Sequence, residues 1–204
     1  MLPEPLHPAE VRVLGALLEK EIATPEYYPL TVNALVNACN QKSNRDPVVN
    51  YTEEVVQQAL ALLRHQGLAV RISGTGHRVE KYGHLLGEKL NLGRRESALL
   101  CMLMLRGPQT VGELRGRTER MYEFSELADV EHCLQSLATR EPAPLVAPLP
   151  RGRWTHLLAG TPDPAQEPPP ESAAPSEIEA RLAALERDVA NLKQMLESFR
   201  RQFE

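Results

Sequence analysis

Hydrophobic positions recur along most of this chain at helical spacing, and the polar stretches between them form a pattern that is used twice. Val11, Leu14, Leu18 and Ile22 make the first stripe. Pro8 suits the start of that helix, and Pro25 stops it near Ala23 by driving Thr24 out of the helical region. Thr31 caps a second helix carrying Val32, Leu35 and Val36. The polar run Asn40–Arg45 follows, rich in short side chains that bond nearby backbone, and so reads as a loop. Asn50 or Thr52 caps a third helix with the stripe Val55, Val56, Ala59, Leu60 and Leu63, and Gly67 ends it. Leu68–Ser73 and Arg78–Tyr82 alternate like strands around Gly74-Thr75-Gly76, a hairpin signal. Three helices and a hairpin in this order predict a winged helix-turn-helix.

About 75–85 residues later the pattern returns. Glu96, Leu100, Leu103 and Met104 repeat the spacing of Glu10, Leu14, Leu17 and Leu18, and Gly107-Pro108 ends that helix. The run Pro108–Leu114 matches Pro29–Leu35 at Pro, Thr, Val and Leu, and Thr110 with Glu113 forms a capping box. Val130, Leu134 and Leu137 match Val56, Leu60 and Leu63. Leu145–Leu149 and Trp154–Leu158 read as a second hairpin, with Pro148 and Pro150 confining the first of these strands to an edge. The period is too long for a solenoid and predicts two similar domains in tandem, 1–88 and 89–160.

Two different segments follow. Residues 161–175 hold six prolines and no apolar periodicity, a stiff linker that spans up to roughly 45 Å at about 3.1 Å per residue. Over 176–204, Ile178, Leu182, Leu185, Val189, Leu192, Leu196, Phe199 and Phe203 alternate steps of four and three. That is a coiled-coil seam, which predicts self-association, most simply as a homodimer. The expected fold class is therefore mainly α with small β-hairpins (α+β): tandem winged helices, a proline-rich linker and a coiled-coil helix.

Composition narrows the function more than the fold. The three cysteines, Cys39, Cys101 and Cys133, have no partner at metal-ligand spacing. They read as reduced, buried thiols of a cytoplasmic protein, and no metal or cofactor is expected. The first residues have neither a basic stretch nor an apolar core of a signal peptide, and the longest apolar run, Ala98–Leu105, is too short for a membrane span. The net charge is −4, all of it in the tail: residues 1–160 hold 18 basic and 18 acidic residues, and 161–204 hold 5 and 9.

The run Ala38-Cys39-Asn40-Gln41-Lys42-Ser43-Asn44-Arg45-Asp46-Pro47-Val48 is the distinctive stretch. With Arg12-Val13-Leu14-Gly15, Leu18-Glu19-Lys20-Glu21, Val79-Glu80-Lys81-Tyr82 and Leu105-Arg106-Gly107-Pro108-Gln109-Thr110, it resembles the YceH-like family of uncharacterised bacterial proteins. The resemblance covers about residues 5–160 and implies tandem winged helices, with no catalytic residues to carry over. His7 stands where that family more often has a capping Ser.

Two binding functions compete. In a helix-turn-helix the third helix enters the major groove, and flanking loops hold phosphates. Asn40, Gln41, Lys42, Asn44 and Arg45 precede that helix; Arg71, Arg78 and Lys81 lie on or near the first wing. Arg115, Arg117 and Arg120 follow the equivalent second helix, and Arg151 and Arg153 mark the second wing. These are the candidate nucleic-acid contacts of a dimeric DNA-binding or regulatory protein. Against them, the third helix opens with Glu53 and Glu54, and its counterpart with Glu126, Asp129 and Glu131, acids that cap helices but repel phosphate. The alternative is a protein–protein adaptor. Frequent use of the fold on DNA favours the first reading by analogy. The polar loop has a structural reading too, in which its amides cap helices and Arg45 pairs with an acid. No phosphate-binding loop, HExxH or nucleophile elbow is present, so no enzymatic role is expected.

Overall fold

The computed structural model describes residues 4–72 and 79–161. The turn of the first hairpin with Arg78, the remainder of the expected linker from residue 162, and the whole of the expected coiled-coil seam lie outside the described residues.

In the first half, α1 (Pro8–Ala23) is followed by a short 3-10 turn, then α2 (Val32–Cys39), α3 (Glu53–His65), β1 (Ala69–Ile72) and β2 (Lys81–His84). A short helix, α4 (Leu86–Leu90), leads to the second half: α5 (Arg94–Arg106), β3 (Gln109–Thr110), α6 (Val111–Thr118), α7 (Leu127–Ala138), β4 (Val146–Leu149) and β5 (Arg153–His156). The α1 and α5 starts match in detail, since Glu10 accepts the His7 amide as Glu96 accepts the Gly93 amide. Thr31, Thr52 and Thr110 cap α2, α3 and α6 through their hydroxyls, as the sequence predicts. The strands are shifted slightly from their expected bounds, because the first hairpin pairs from Ala69 opposite His84 to Ile72 opposite Lys81.

The sheets also correspond. In the second half β5 lies between β3 and β4, with Pro148 on the outer strand as its missing N–H requires. In the first half β2 lies between β1 and a single bridge to Leu30, which exchanges backbone bonds with Tyr82. Each half is thus a helix, an edge strand, two helices and a hairpin.

One hydrophobic cluster runs through both halves. Its centre is the crossing of α1 and α5, where Gly15 lets the backbones approach: a Cβ there would stand 3.0 Å from Leu105 and 3.2 Å from Met104. Cys101 donates its thiol to the Gly15 carbonyl at 3.4 Å. The Leu6 amide bonds the Leu158 carbonyl, tying the start of the first half to the end of the second. The boundary expected near residue 88 falls in α4, and the two halves share a core on either side of it.

Candidate nucleic-acid interface

The loop Asn40–Arg45 is the first test of the phosphate reading, because its side chains must face water to meet a ligand. Most turn inward. Arg45 is 5% exposed. It pairs with Glu19 of α1 at 2.6 Å and 3.0 Å, donates to the Ala38 carbonyl through Nε and Nη2, and reaches Gln41 Oε1. Arg12, also buried, donates to the carbonyls of Cys39 and Pro47. Burial lowers its pKa first, and the neighbouring Arg45 guanidinium lowers it further. The carbonyls at the end of α2 lack partners within the helix, and two buried arginines supply them.

The remaining loop residues follow the same logic. Asn40 clasps the backbone of Tyr51, donating to its carbonyl at 2.9 Å and accepting its amide at 2.8 Å. Asn44 takes a left-handed φ of 57° and accepts from Arg106 across the interface between the halves. The Asp46 amide bonds the Leu105 carbonyl at the end of α5. Lys42 is exposed and makes no ion pair among the described residues. Arg45 is committed inside the fold, Asn40 is half-buried with its amide on Tyr51, and Gln41 is half-buried with its carbonyl oxygen on Arg45; Lys42 and Asn44 are exposed, Asn44 accepting from Arg106.

The other candidates are divided. Arg71 pairs with Glu80 at 2.7 Å. Arg115 donates to the carbonyls of Phe124 and Ser125, closing the turn after α6. Arg117 pairs with Glu113 and bonds Gln109. Lys81 is half-buried beside α2. Arg120, Arg151 and Arg153 are exposed, Arg151 with a left-handed φ of 59° in the turn between β4 and β5. Arg78 lies outside the described residues.

The exposed helix faces complete the electrostatics. On α3 the outward residues Glu53, Glu54, Gln57, Gln58, Ala61 and Leu62 carry no cation until Arg64 and His65 in the last turn. The Thr52 hydroxyl holds the Glu54 carboxyl below its usual range. The whole of α7 lacks Lys and Arg, and its exposed face includes Leu127, Glu131 and Gln135. Arg64, His65 and Arg71 border a cleft of about 590 Å³ between α3 and β1. Sequence reasoning passed over Arg64 and His65 there, and Arg12 and Glu19 inside; the signal for the buried pair was a charge placed within the apolar stripe of the first helix.

Among the described residues no cluster of His, Cys, Asp and Glu has the geometry to hold a metal, and no helix is long and apolar enough to cross a membrane. All three cysteines are buried free thiols, and burial raises their pKa, to about 12 at Cys39 and about 11 at Cys133.

A family model described as "Protein of unknown function, DUF480" matches residues 6–153. The chain belongs to this family. A UPF0502 protein of Solibacter usitatus is 56% identical over 98% of both chains, and a UPF0502 protein of Geobacter sulfurreducens is 50% identical over 98% of both. The DUF480 match ends at residue 153, whereas these two bacterial relatives align along nearly the whole chain.

Proposed function

We propose that this DUF480 protein is a non-enzymatic adaptor built from two winged helices fused through their first helices, and that it grips a protein rather than a nucleic acid. The observation that carries this reading is the charge of the two outward helix faces. Where a DNA-reading helix presents donors to base edges and cations to phosphates, α3 opens on Glu53 and Glu54, and α7 has no Lys or Arg at all. Of the cations expected to meet phosphate, Arg45 is buried on Glu19, and Arg71, Arg115 and Arg117 are tied to neighbouring acids or carbonyls. The exposed Leu62 and Leu127 give the same faces an apolar element, as a protein contact requires. Heptad spacing in 176–204 makes the whole a dimer with paired gripping surfaces.

Nucleic-acid binding stays as the second reading on one specific feature, the cleft bordered by Arg64, His65 and Arg71. Fluorescence anisotropy of random-sequence duplex DNA separates the two. The adaptor reading predicts no titration by micromolar full-length protein even at low salt. Submicromolar binding that weakens steeply with salt, by about 0.9 in log–log slope per phosphate contact, overturns it in favour of DNA.

A further inference from the structure

The two halves differ at one matched position beside the second helix. In the second half Glu113 lies in the first turn of α6. Its carboxylate accepts the Thr110 amide at 2.9 Å and the Thr110 hydroxyl at 3.1 Å, and pairs with Arg117 at 3.1 Å. Burial alone would raise the pKa of this carboxyl, but the Thr110 amide, Arg117 and the hydroxyl together hold it below the usual range, with help from Arg153. Arg106 lies within electrostatic reach of it as well.

The first half keeps the donors of this arrangement without the acid. Thr31 matches Thr110, and Lys20 stands on α1 where Arg106 stands on α5. Lys81 matches Arg153, because Tyr82 bridges Leu30 as Trp154 pairs with Gln109. At the places of Glu113 and Arg117 are Ala34 and Ala38. The result is a groove of about 370 Å³ with an apolar floor and a lysine from each flanking element. Among the described residues the Thr31 amide has no acceptor and Lys81 no ion pair. Lys20 reaches Glu19 at 3.4 Å, a carboxylate already committed to Arg45. Tyr27 stands at the rim, 72% exposed.

We infer that this groove receives a carboxylate side chain from an extended acidic segment of a partner protein, seated where Glu113 sits in the second half. The free amide at the start of α2 and the two ammonium groups supply charge-assisted hydrogen bonds. The space left by Ala34 and Ala38 takes an aliphatic neighbour of the acid. A neutral segment would offer Lys81, Lys20 and the amide only uncharged acceptors, whereas a carboxylate matches their charge, so the occupant is acidic. The inference rests on the protein-binding reading and specifies the chemistry of what is gripped.

The test uses the full-length, nitrogen-15-labelled chain and a blocked peptide, Pro-Leu-Glu-Leu-Pro, beside its Gln counterpart. The Glu peptide shifts the Thr31 and Ala34 amide resonances, and the Gln peptide binds at least roughly fivefold more weakly. The Ala34→Glu variant supplies the acid from the chain itself: it loses the peptide response, and its melting temperature rises above that of both wild type and Ala34→Gln. Equal responses to the two peptides, no response to either, or a response that survives Ala34→Glu overturns the groove assignment. A parallel titration with duplex DNA keeps the two levels apart. Shifts on α3 and β1 from DNA, with none from peptide, overturn the protein-binding reading itself; silence toward both ligands overturns the groove assignment alone.

Discussion

Arg12, Glu19 and Arg45 in the first half stand where the second half has Ala98, Leu105 and Phe124. The first two pairs match along α1 and α5, and Arg45 and Phe124 lie equally far past the ends of α2 and α6. All six are buried. One half therefore fills this layer with an ion pair and an extra guanidinium, and the other fills it with hydrocarbon, around the same order of elements. A buried ion pair is seldom more stable than well-packed apolar groups of its size, since desolvation consumes much of the attraction. The polar version does something the apolar one does not. It closes the end of α2 and fixes a loop whose Asn44 and Asp46 then bond α5. The difference separates two jobs, filling a layer and holding a loop against the neighbouring half.

The matched histidines repeat the contrast in reverse. His84 in β2 is buried, accepts the Leu86 amide at Nδ1 and so donates from Nε2 to Glu21 at 2.8 Å. His156 in β5 has a buried Nδ1 with no partner among the described residues. Burial lowers both pKa values. Glu21 offsets part of this at His84, whereas nothing offsets it at His156, which falls to about 4.

The largest effect expected from this comparison is at Arg45. Arg45→Ala leaves Glu19 buried without its partner and should cost about 3–5 kcal/mol in urea unfolding. Phe124→Ala in the second half should cost a similar amount through a cavity instead, about 3–5 kcal/mol. Acid comes next. Because the folded state holds His156 neutral down to about pH 4, the unfolded chain takes up its proton first as pH falls below about 6.5. Stability conferred by the neutral ring is thus complete above that value and is lost toward pH 4, at up to about 1.4 kcal/mol per pH unit. His156→Leu should flatten that part of the stability–pH curve, and a variant at His84 should change it less. At the crossing of α1 and α5, Gly15→Leu should destabilise by about 1–3 kcal/mol through overpacking. Gly116→Ala on α6, where a Cβ meets nothing within 4 Å, should do the opposite and stabilise by about 0.5–1 kcal/mol.

The elements were legible because their signals are local. The stripe of Val56, Ala59, Leu60 and Leu63 is the buried face of α3, and Thr52 and Gly67 bound it. The internal repeat was legible for the same reason. The pairing of Arg45 with an acid was one of two readings of the polar loop, and local pattern could not name the acid, because Glu19 comes within 2.6 Å of Arg45 only once α1 is folded beside the loop. Aligning the two halves held a usable clue, since it sets Glu19 against Leu105 and Arg12 against Ala98, charged residues at positions the other half fills with apolar ones. The shared core was also beyond local pattern. Gly15 looks like an ordinary weak point in a helix, and its purpose is the close approach of α5.

The claim that the polar loop holds the fold together, instead of offering its cations to a ligand, is tested most directly by a double-mutant cycle in urea on Glu19→Leu and Arg45→Phe, the residues of the second half placed into the first. The account predicts that Arg45→Phe alone loses about 3–5 kcal/mol, and that the double variant recovers a large part of it because no buried charge is then left unpaired. Wild-type stability in Arg45→Phe alone, with no coupling to Glu19, would contradict it.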